Sequence, residues 1–532
     1  MSPKKSANNV DARRPFVVGL IGHRELSQVE LPSLQQAFDN YISKLLETLK
    51  HTPILILTSM AEGSDRLAHK SRFRDQIKIC SVLPFNKEEY AKDFRGTQNR
   101  AEYQATLDDS DYVITFSPKT ANEKMTEIER NRAYKESAFW ICDKANSLYA
   151  VWDGKSSRGV GGTADTVKYR IRKMGAYSQI YSGINLVHLL ASNASSAPIS
   201  DCECGGHNLI SKSDLRNLRD FDQLNSFLSN SDVQIDPSSL DSHFELLDKE
   251  AIALQGEFLG GTKLLLTLGV LSVNVASFQL ELLTFDSLYP AALLLLLTIV
   301  IWFRQSKSQI KVAYETFRLM AEVMRVQIWW RSCGIPARVL DEIPELRETG
   351  GPARLFLSNT FLIQEIASWN SVEVTKTSVD PLDWVEGQRN YLRSGKSKGA
   401  IKKNESKAKF QQRLIFFFVS LAGFSILFGT SASTLFEGFD EDLVRASTSI
   451  FFTGSLSIAA ALAAFAQVMS YREVIGRYRI KEFRLQNSIT LMRSARVRSE
   501  RLKIAKEVGR DSLSEAFRWY QVKSDRQVRP FQ

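Results

Sequence analysis

The sequence is poor in cysteine, with five in 532 residues. So small and odd a number excludes a disulfide-stapled secreted scaffold. Neither a dinucleotide GxGxxG turn nor a Walker GxxxxGK[ST] loop is present, which argues against an NAD-linked dehydrogenase and a P-loop NTPase. Cys202 and Cys204 with His207 resemble half of a zinc site, but no second pair lies nearby and a surface loop is the expectation. The start, MSPKKSANNVDARR, has no apolar stretch behind its charges, so no secretory signal is expected and residues 1–14 read as a short disordered leader.

What is there is substantial. The chain is 44% hydrophobic and 24% charged, which leaves little room for long disorder, and its length implies two or three folded units. The apolar residues are bunched in the second half. A bilayer-spanning helix needs about 20 mostly apolar residues, and four segments approach or meet that length: about 264–283, 288–303, 414–435 and 447–469. Short connections pair them into two hairpins. No charged residue or histidine interrupts the middle of a span, which argues against a proton-coupled carrier. Ser455, Ser457, Thr430 and Ser431 read either as helix-packing residues or as a pore lining, and Asn274 as a helix–helix register lock.

Flanking charge sets the expected orientation. Arg304, Lys307 and Lys311 follow the first hairpin; Lys402, Lys403, Lys407, Lys409 and Arg413 precede the second, and Arg472, Arg477, Arg479 and Lys481 follow it. Both termini and the 304–413 connector are therefore expected in the cytoplasm. The 472–532 tail carries sixteen Lys/Arg against seven Asp/Glu, nine of the net charge of +10. Anionic lipid head groups or subunit packing are the partners expected for it; nucleic acid is not. Phe317-Arg318-Leu319 recurs as Phe483-Arg484-Leu485, 166 residues on, which suggests a duplicated unit of hairpin plus amphipathic helix (about 305–331 and 471–506). The prolines of the 332–411 connector imply that part of it folds separately.

Residues 15–243 read as an α/β unit. Apolar runs at about 16–21, 54–58, 79–83, 112–116, 148–152 and 185–190 alternate with amphipathic helices, the pattern of a Rossmann-like parallel sheet. Ligands of such sheets sit beyond the carboxyl ends of the strands. Three small or polar turns gather there: Gly22-His23-Arg24, then Ala61-Glu62-Gly63-Ser64-Asp65 leading into an expected helix near Asp65, then Trp152-Asp153 followed by Gly161-Gly162-Thr163 opening another helix. Glycines let backbone approach a phosphate and helix N-termini attract anions. His23 reads as an anion contact or a turn cap, Trp152 as core or a base-stacking platform, and Asp153 as a turn cap or a ribose acceptor. No catalytic residue, metal or cofactor is assigned.

The order GHR (22–24), MAEGSD (60–65), LPF (83–85) with Tyr90 and Asp93-Phe94, WDG (152–154) and GGTAD (161–165) resembles the SLOG superfamily. That superfamily includes the LOG nucleoside-monophosphate phosphoribohydrolases and the TRPM sensor domain. The resemblance covers about residues 14–195. The membrane half is similar, more diffusely, to the two-span SLATT effectors, on its hairpin-plus-basic-helix layout and on Trp384-Val-Glu-Gly-Gln388 with Tyr391. Together they imply a bacterial antiviral effector in the inner membrane. Its soluble part would sense a nucleotide, NAD-derived or cyclic, made by a separately encoded enzyme, and its spans, as a homo-oligomer, would form a channel or disrupt the bilayer. The LOG motif PGGxGTxxE is matched only in part: Gly161-Gly162-Thr163 fits its phosphate-holding portion, the proline is missing, and Asp165 sits nearer the threonine than the family's glutamate. Asp165, Glu62 or Asp65 would supply the acid if the implied activity were hydrolytic.

Overall fold

The structure is a computed structural model that describes residues 11–117, 125–155, 161–177, 185–190, 212–229, 231, 235–282, 289–345, 351–369, 379–393, 399–435 and 440–525. Cys202, Cys204 and His207 lie outside them. The chain divides into two compact units: residues 1–247, 319–325 and 337–375 form one, and residues 248–318, 326–336 and 376–532 the other.

The first unit is built on β1 (Phe16–Gly22), β2 (Ile54–Thr58), β3 (Ile77–Phe85), β4 (Tyr112–Ser117), β5 (Ser147–Trp152) and β6 (Asn185–Leu190). All pairings are parallel, and the strand order is β4-β3-β2-β1-β5-β6. The chain lays down β1 to β4 in one direction, then crosses to the other side of β1 to add β5 and β6. The direction therefore reverses between β1 and β5, the place where such sheets open a crevice. The helices here are α1 (Leu31–Thr48), α2 (Lys87–Ala91), α3 (Thr97–Asp109), α4 (Glu127–Lys144), α5 (Thr163–Tyr177) and α6 (Lys212–Leu228). α1 covers one face of the sheet, where Phe38 meets Tyr149 edge to face at 5.2 Å. α4 and α5 cover the other, where Ile141, Cys142 and Val167 pack with Val17, Ile21, Leu55 and Leu57.

The later chain adds α7 (Leu240–Leu282), α8 (Tyr289–Lys307), α9 (Ile310–Cys333), α10 (Val339–Glu342), α11 (Gly351–Ser368), α12 (Pro381–Arg393), α13 (Ala400–Leu435), α14 (Glu441–Met469), α15 (Tyr471–Ser494) and α16 (Arg498–Asp525). The chain passes from the first unit to the second within α7.

Two expectations about domain boundaries are corrected here. Residues 11–14 of the expected leader are packed: Arg14 is buried, its Nε donates to Thr360 Oγ1 at 2.9 Å and its Nη2 meets His243 Nδ1 at 2.9 Å. Burial pushes the Arg14 guanidinium down to about 10 and the His243 ring down to about 3, so at neutral pH the ring accepts from the arginine. The connector does not fold apart either. α11 seats Leu362 and Ile366 in the sheet core, and Asn359 Nδ2 donates to Pro15 O (2.7 Å) and to Asn146 Oδ1 (2.9 Å). Trp369 Nε1 donates to Thr115 O at 2.8 Å and Glu365 pairs with Lys144. The prolines break the helix as expected, but the piece between them carries an apolar face that only the sheet covers.

Among the described residues four helices are long and apolar enough to cross a membrane. They contain the four expected spans, and their apolar side chains lie largely exposed, Leu293 and Phe416 among them. The first span is the later part of α7, which begins at Leu240. Within the bundle Asn274 Nδ2 donates to Ser457 Oγ at 3.0 Å, Gln305 Nε2 to Phe258 O at 3.2 Å, and Gln411 Nε2 to Leu462 O at 3.0 Å. Each hairpin exit breaks at one residue of left-handed backbone, Gln309 (φ 56°) and Ser470 (φ 49°). Each break opens a 24-residue helix, α9 and α15. The geometric repeat thus runs at an offset of 161, not the 166 of the Phe-Arg-Leu match. Phe317 is buried while Phe483 is 66% exposed, so that tripeptide does not mark equivalent sites. The second exit helix also ends earlier than expected, at Ser494, where α16 takes over.

Candidate functional site

The three turns singled out in the sequence meet at the switch point between β1 and β5. β1 pairs with β5 to its end: His23 N donates to Val151 O at 3.0 Å. The imidazole then folds over β5. Its Nε2 accepts from Asp153 N at 3.0 Å and lies 3.2 Å from Asp153 Oδ1. Asp153 Oδ1 also accepts from Lys155 N at 3.0 Å. Both side chains are mostly buried, so His23 and Asp153 act as turn locks at this edge. Trp152 lies half-buried against the core, and its Nε1 donates to Lys155 O at 2.9 Å.

The turn after β2 rests on the turn after β1. Ser64 donates twice to His23 O, from N at 3.1 Å and from Oγ at 2.8 Å. Gly63 sits at φ 76°, and a Cβ there would lie 2.3 Å from Arg24 O. At Gly22 a Cβ would lie 2.2 Å from Ser64 Oγ and 2.4 Å from Val151 O. The space these glycines leave is filled by the protein itself, which corrects the expectation that Gly22 is small for the sake of a phosphate. Met60 adopts φ 66° at the same turn, a conformation uncommon for a residue with a side chain.

The helix expected near Asp65 is a four-residue 3-10 turn, Gly63–Arg66, so this turn offers no helix N-terminus. The Ser64 and Ala61 amides are taken up locally. Asp65 is buried and accepts from Ser59 Oγ at 2.9 Å and Ala61 N at 3.2 Å. Burial raises its carboxyl to about 7, against the opposing pull of those bonds and of Arg24 and Arg66. Ala61 is buried as well. Glu62 differs: its Oε1 is shielded from water and finds no hydrogen-bond partner among the described residues. An orphaned carboxylate oxygen is costly unless something else supplies a donor.

The third turn closes the group. Gly161 sits at φ 78°, where a Cβ would lie 2.9 Å from the Lys135 backbone. Gly162 O accepts from Thr166 N at 3.1 Å, which makes Gly162 the cap of α5. Thr163 Oγ1 donates to Gly22 O at 2.9 Å, placing the amino end of α5 over the end of β1. Asp165 Oδ2 accepts from Gly161 N at 3.3 Å.

Arg24 is steadied by Tyr134, which no local motif marks, and through it by Asp93. Its Nη2 donates to Tyr134 OH at 3.2 Å, with the guanidinium 5.5 Å from that ring. Tyr134 OH in turn donates to Asp93, and Tyr90 OH donates to Ser59 O at 3.0 Å. Tyr134 belongs to the constellation and carries no local signal in the sequence: it lies on α4, 110 residues from its partner. Among the described residues, the groups left to meet a ligand are Arg24, Glu62 and the start of α5 at Gly162 and Thr163. They combine a cation and the amino end of a helix, which suit phosphate, with a carboxylate that suits a hydroxyl. Among the described residues no group of His, Cys, Asp or Glu is placed to hold a metal ion.

In the second unit Ser457 is engaged in packing. It accepts from Asn274 and donates to Gly454 O at 2.8 Å, and a Cβ at Gly454 would lie 2.6 Å from Asn274 Oδ1. Ser455 is buried, and Thr430 Oγ1 donates back to Ile426 O at 3.1 Å. Comparison with family models, curated proteins and solved structures finds no match to the chain.

Proposed function

We propose that this protein is a nucleotide-responsive membrane effector, a SLOG-like sensor joined to two SLATT-like hairpins. The α/β unit binds a phosphate-bearing nucleotide, NAD-derived or cyclic, and the four-span unit answers by opening a channel or disrupting the bilayer. The reading is of a homo-oligomer in the bacterial inner membrane with both termini cytoplasmic, acting in antiviral defence on a signal made by another enzyme. The convergence of the three turns at the switch point carries the sensor part: Arg24 and the α5 amides take phosphate, and the orphaned Glu62 oxygen takes a ribose hydroxyl. The basic flanks of the spans support the orientation. The coupling is linkage: the ligand acts on the spans only by binding two states of the protein with different affinity.

The test uses the whole chain, since α11 completes the sensor core. Purified protein is incubated with cyclic oligonucleotides and NAD-derived cyclic products, following melting temperature and, by mass spectrometry, the fate of each compound. The proposal expects at least one compound to raise the melting temperature and be recovered intact, with the effect lost in Gly162→Leu. A bound compound recovered cleaved makes the protein a membrane-anchored hydrolase, with Glu62 or Asp165 as the acid to replace. No response to any compound leaves a structural membrane scaffold.

A further inference from the structure

The sequence places most of the chain's charge excess in the 472–532 tail, but several of the tail's cations are held in ion pairs. Arg477 pairs with Glu515 (3.2 Å), Arg479 with Glu405 (2.6 Å), Arg493 with Glu386 (2.6 Å) and Arg501 with Asp380 (3.0 Å). A different cluster is not. Lys402, Lys403, Lys407, Lys409 and Arg413 lie on the first turns of α13, all exposed and none in an ion pair among the described residues.

Their placement on the helix is specific. At 3.6 residues per turn the five fall within about half of the circumference. The same half, continued along α13, carries Phe410, Phe416, Phe417, Phe424 and Phe428, each more than half exposed. The other side faces protein at Gln411, whose Nε2 donates to Leu462 O at 3.0 Å, and Glu405, at the stripe's edge, is turned to Arg479. One stripe of α13 therefore passes from unpaired cations into exposed aromatics at the point where the apolar run begins. Aromatics facing acyl chains put the cations just above them at the level of the head groups.

We infer that this stripe is a binding surface for anionic phospholipid head groups, with the four lysines and Arg413 meeting the phosphates of lipids whose chains lie along the phenylalanines. The inference rests on the membrane-spanning reading of α13 and not on the nucleotide site. Several cations held on one face select negatively charged lipid over zwitterionic lipid, and each contributes about fivefold in affinity near an anionic surface.

The full-length protein in a neutral detergent is titrated with short-chain phosphatidylglycerol, short-chain phosphatidylcholine and inorganic phosphate, reading the melting temperature. Phosphatidylglycerol is expected to raise it, more at low than at high ionic strength, while phosphatidylcholine and phosphate do not. The variant K402Q/K403Q/K407Q/K409Q changes exposed side chains only, so its melting temperature without lipid should match wild type. Its half-effect concentration of phosphatidylglycerol should rise at least tenfold. A second variant, R496Q/K503Q, removes two exposed tail cations and should respond as wild type. An undiminished response in the lysine variant, an equal response to phosphatidylcholine, or no response to phosphatidylglycerol at all would each overturn the inference. So would an equal shift with inorganic phosphate, which would mean a free-anion site rather than a lipid surface.

Discussion

Thr163 Oγ1 donates to Gly22 O at 2.9 Å, and this one bond joins the amino end of α5 to the carboxyl end of β1. It spans 141 residues of sequence and crosses the switch point of the sheet. Around it the turn of Ser64 and Asp65 is pinned to His23 O, and His23 is pinned to Asp153. The edge is thus a pre-built frame, and the described groups at it that this frame does not use up include Arg24 and Glu62.

Glu62 and Gly22 should separate binding from folding. Gly22→Ala forces a Cβ against Ser64 Oγ and Val151 O. Overpacking of this kind costs about 1–3 kcal/mol, and a marked drop in melting temperature is expected. Glu62→Gln replaces a carboxylate whose Oε1 is orphaned and buried, so it should leave stability unchanged or raised while weakening any nucleotide response. Thermal melts of both variants, with and without the ligand panel, check the pair. A Glu62→Gln protein that unfolds like Gly22→Ala would assign Glu62 to the frame instead.

Asp65 should make stability depend on pH in a particular direction. Its carboxyl is raised from an ordinary 3.8 to about 7 by burial. Between those values the folded chain keeps a proton that the unfolded chain has released, so this group's contribution falls as pH rises across the window. Asp65→Asn cannot ionise and escapes the loss. Its stability relative to wild type should therefore climb as pH rises from about 5, by at most roughly 1.4 kcal/mol for each pH unit, and level off near pH 8. Chemical denaturation of both proteins across that range reads the difference. An offset that stays flat contradicts the buried, raised carboxyl.

How much of this is legible in the sequence depends on distance along the chain. The apolar runs at Ile54–Thr58 and Asn185–Leu190 match their strands to the residue, because buried parallel strands are short apolar runs between breakers. β3 runs two residues beyond its apolar run, through Pro84, because its register with β2 ends at Ser81 and no ladder bond there needs a proline N–H. The turns at 22–24, 61–65 and 161–163 are marked by their glycines, yet the sequence suggests the wrong reason for Gly22. What lies against a glycine is fixed by packing, and Ser64 is 42 residues away. The docking of α11 has no local signal: its Leu362 and Ile366 look like an ordinary apolar face, and only the finished sheet shows what covers them.

That docking makes a truncation informative. A chain ended at residue 255 lacks α11, and with it two core side chains and the bonds of Asn359 to Pro15 and Asn146. Such a fragment should fail to melt cooperatively. In the whole chain Leu362→Ala should cost about 2–5 kcal/mol and Asn359→Ala about 1–3 kcal/mol, as read by chemical denaturation. A fragment 1–255 with wild-type cooperativity would contradict the assignment of α11 to the core of the α/β unit.

The contact of Asn274 with Ser457 and Gly454 should hold the two hairpins together. Polar contacts between membrane helices contribute about 0.6 kcal/mol on average, so Asn274→Ala should loosen the bundle slightly. Gly454→Leu, which fills the space that Asn274 Oδ1 occupies, should loosen it far more. Disulfide trapping between cysteines placed on α7 and α14 would register both effects. Equal trapping in all three proteins would show that the contact does not set the helix register.

The central claim is that three turns far apart in sequence form one nucleotide site. Hydrogen exchange of the full-length protein, with each compound of the nucleotide panel in turn, tests it most directly. The account predicts at least one compound that slows exchange together at residues 22–24, 61–65 and 161–165. No protection in these turns with any compound, or protection confined to one of them, would contradict it.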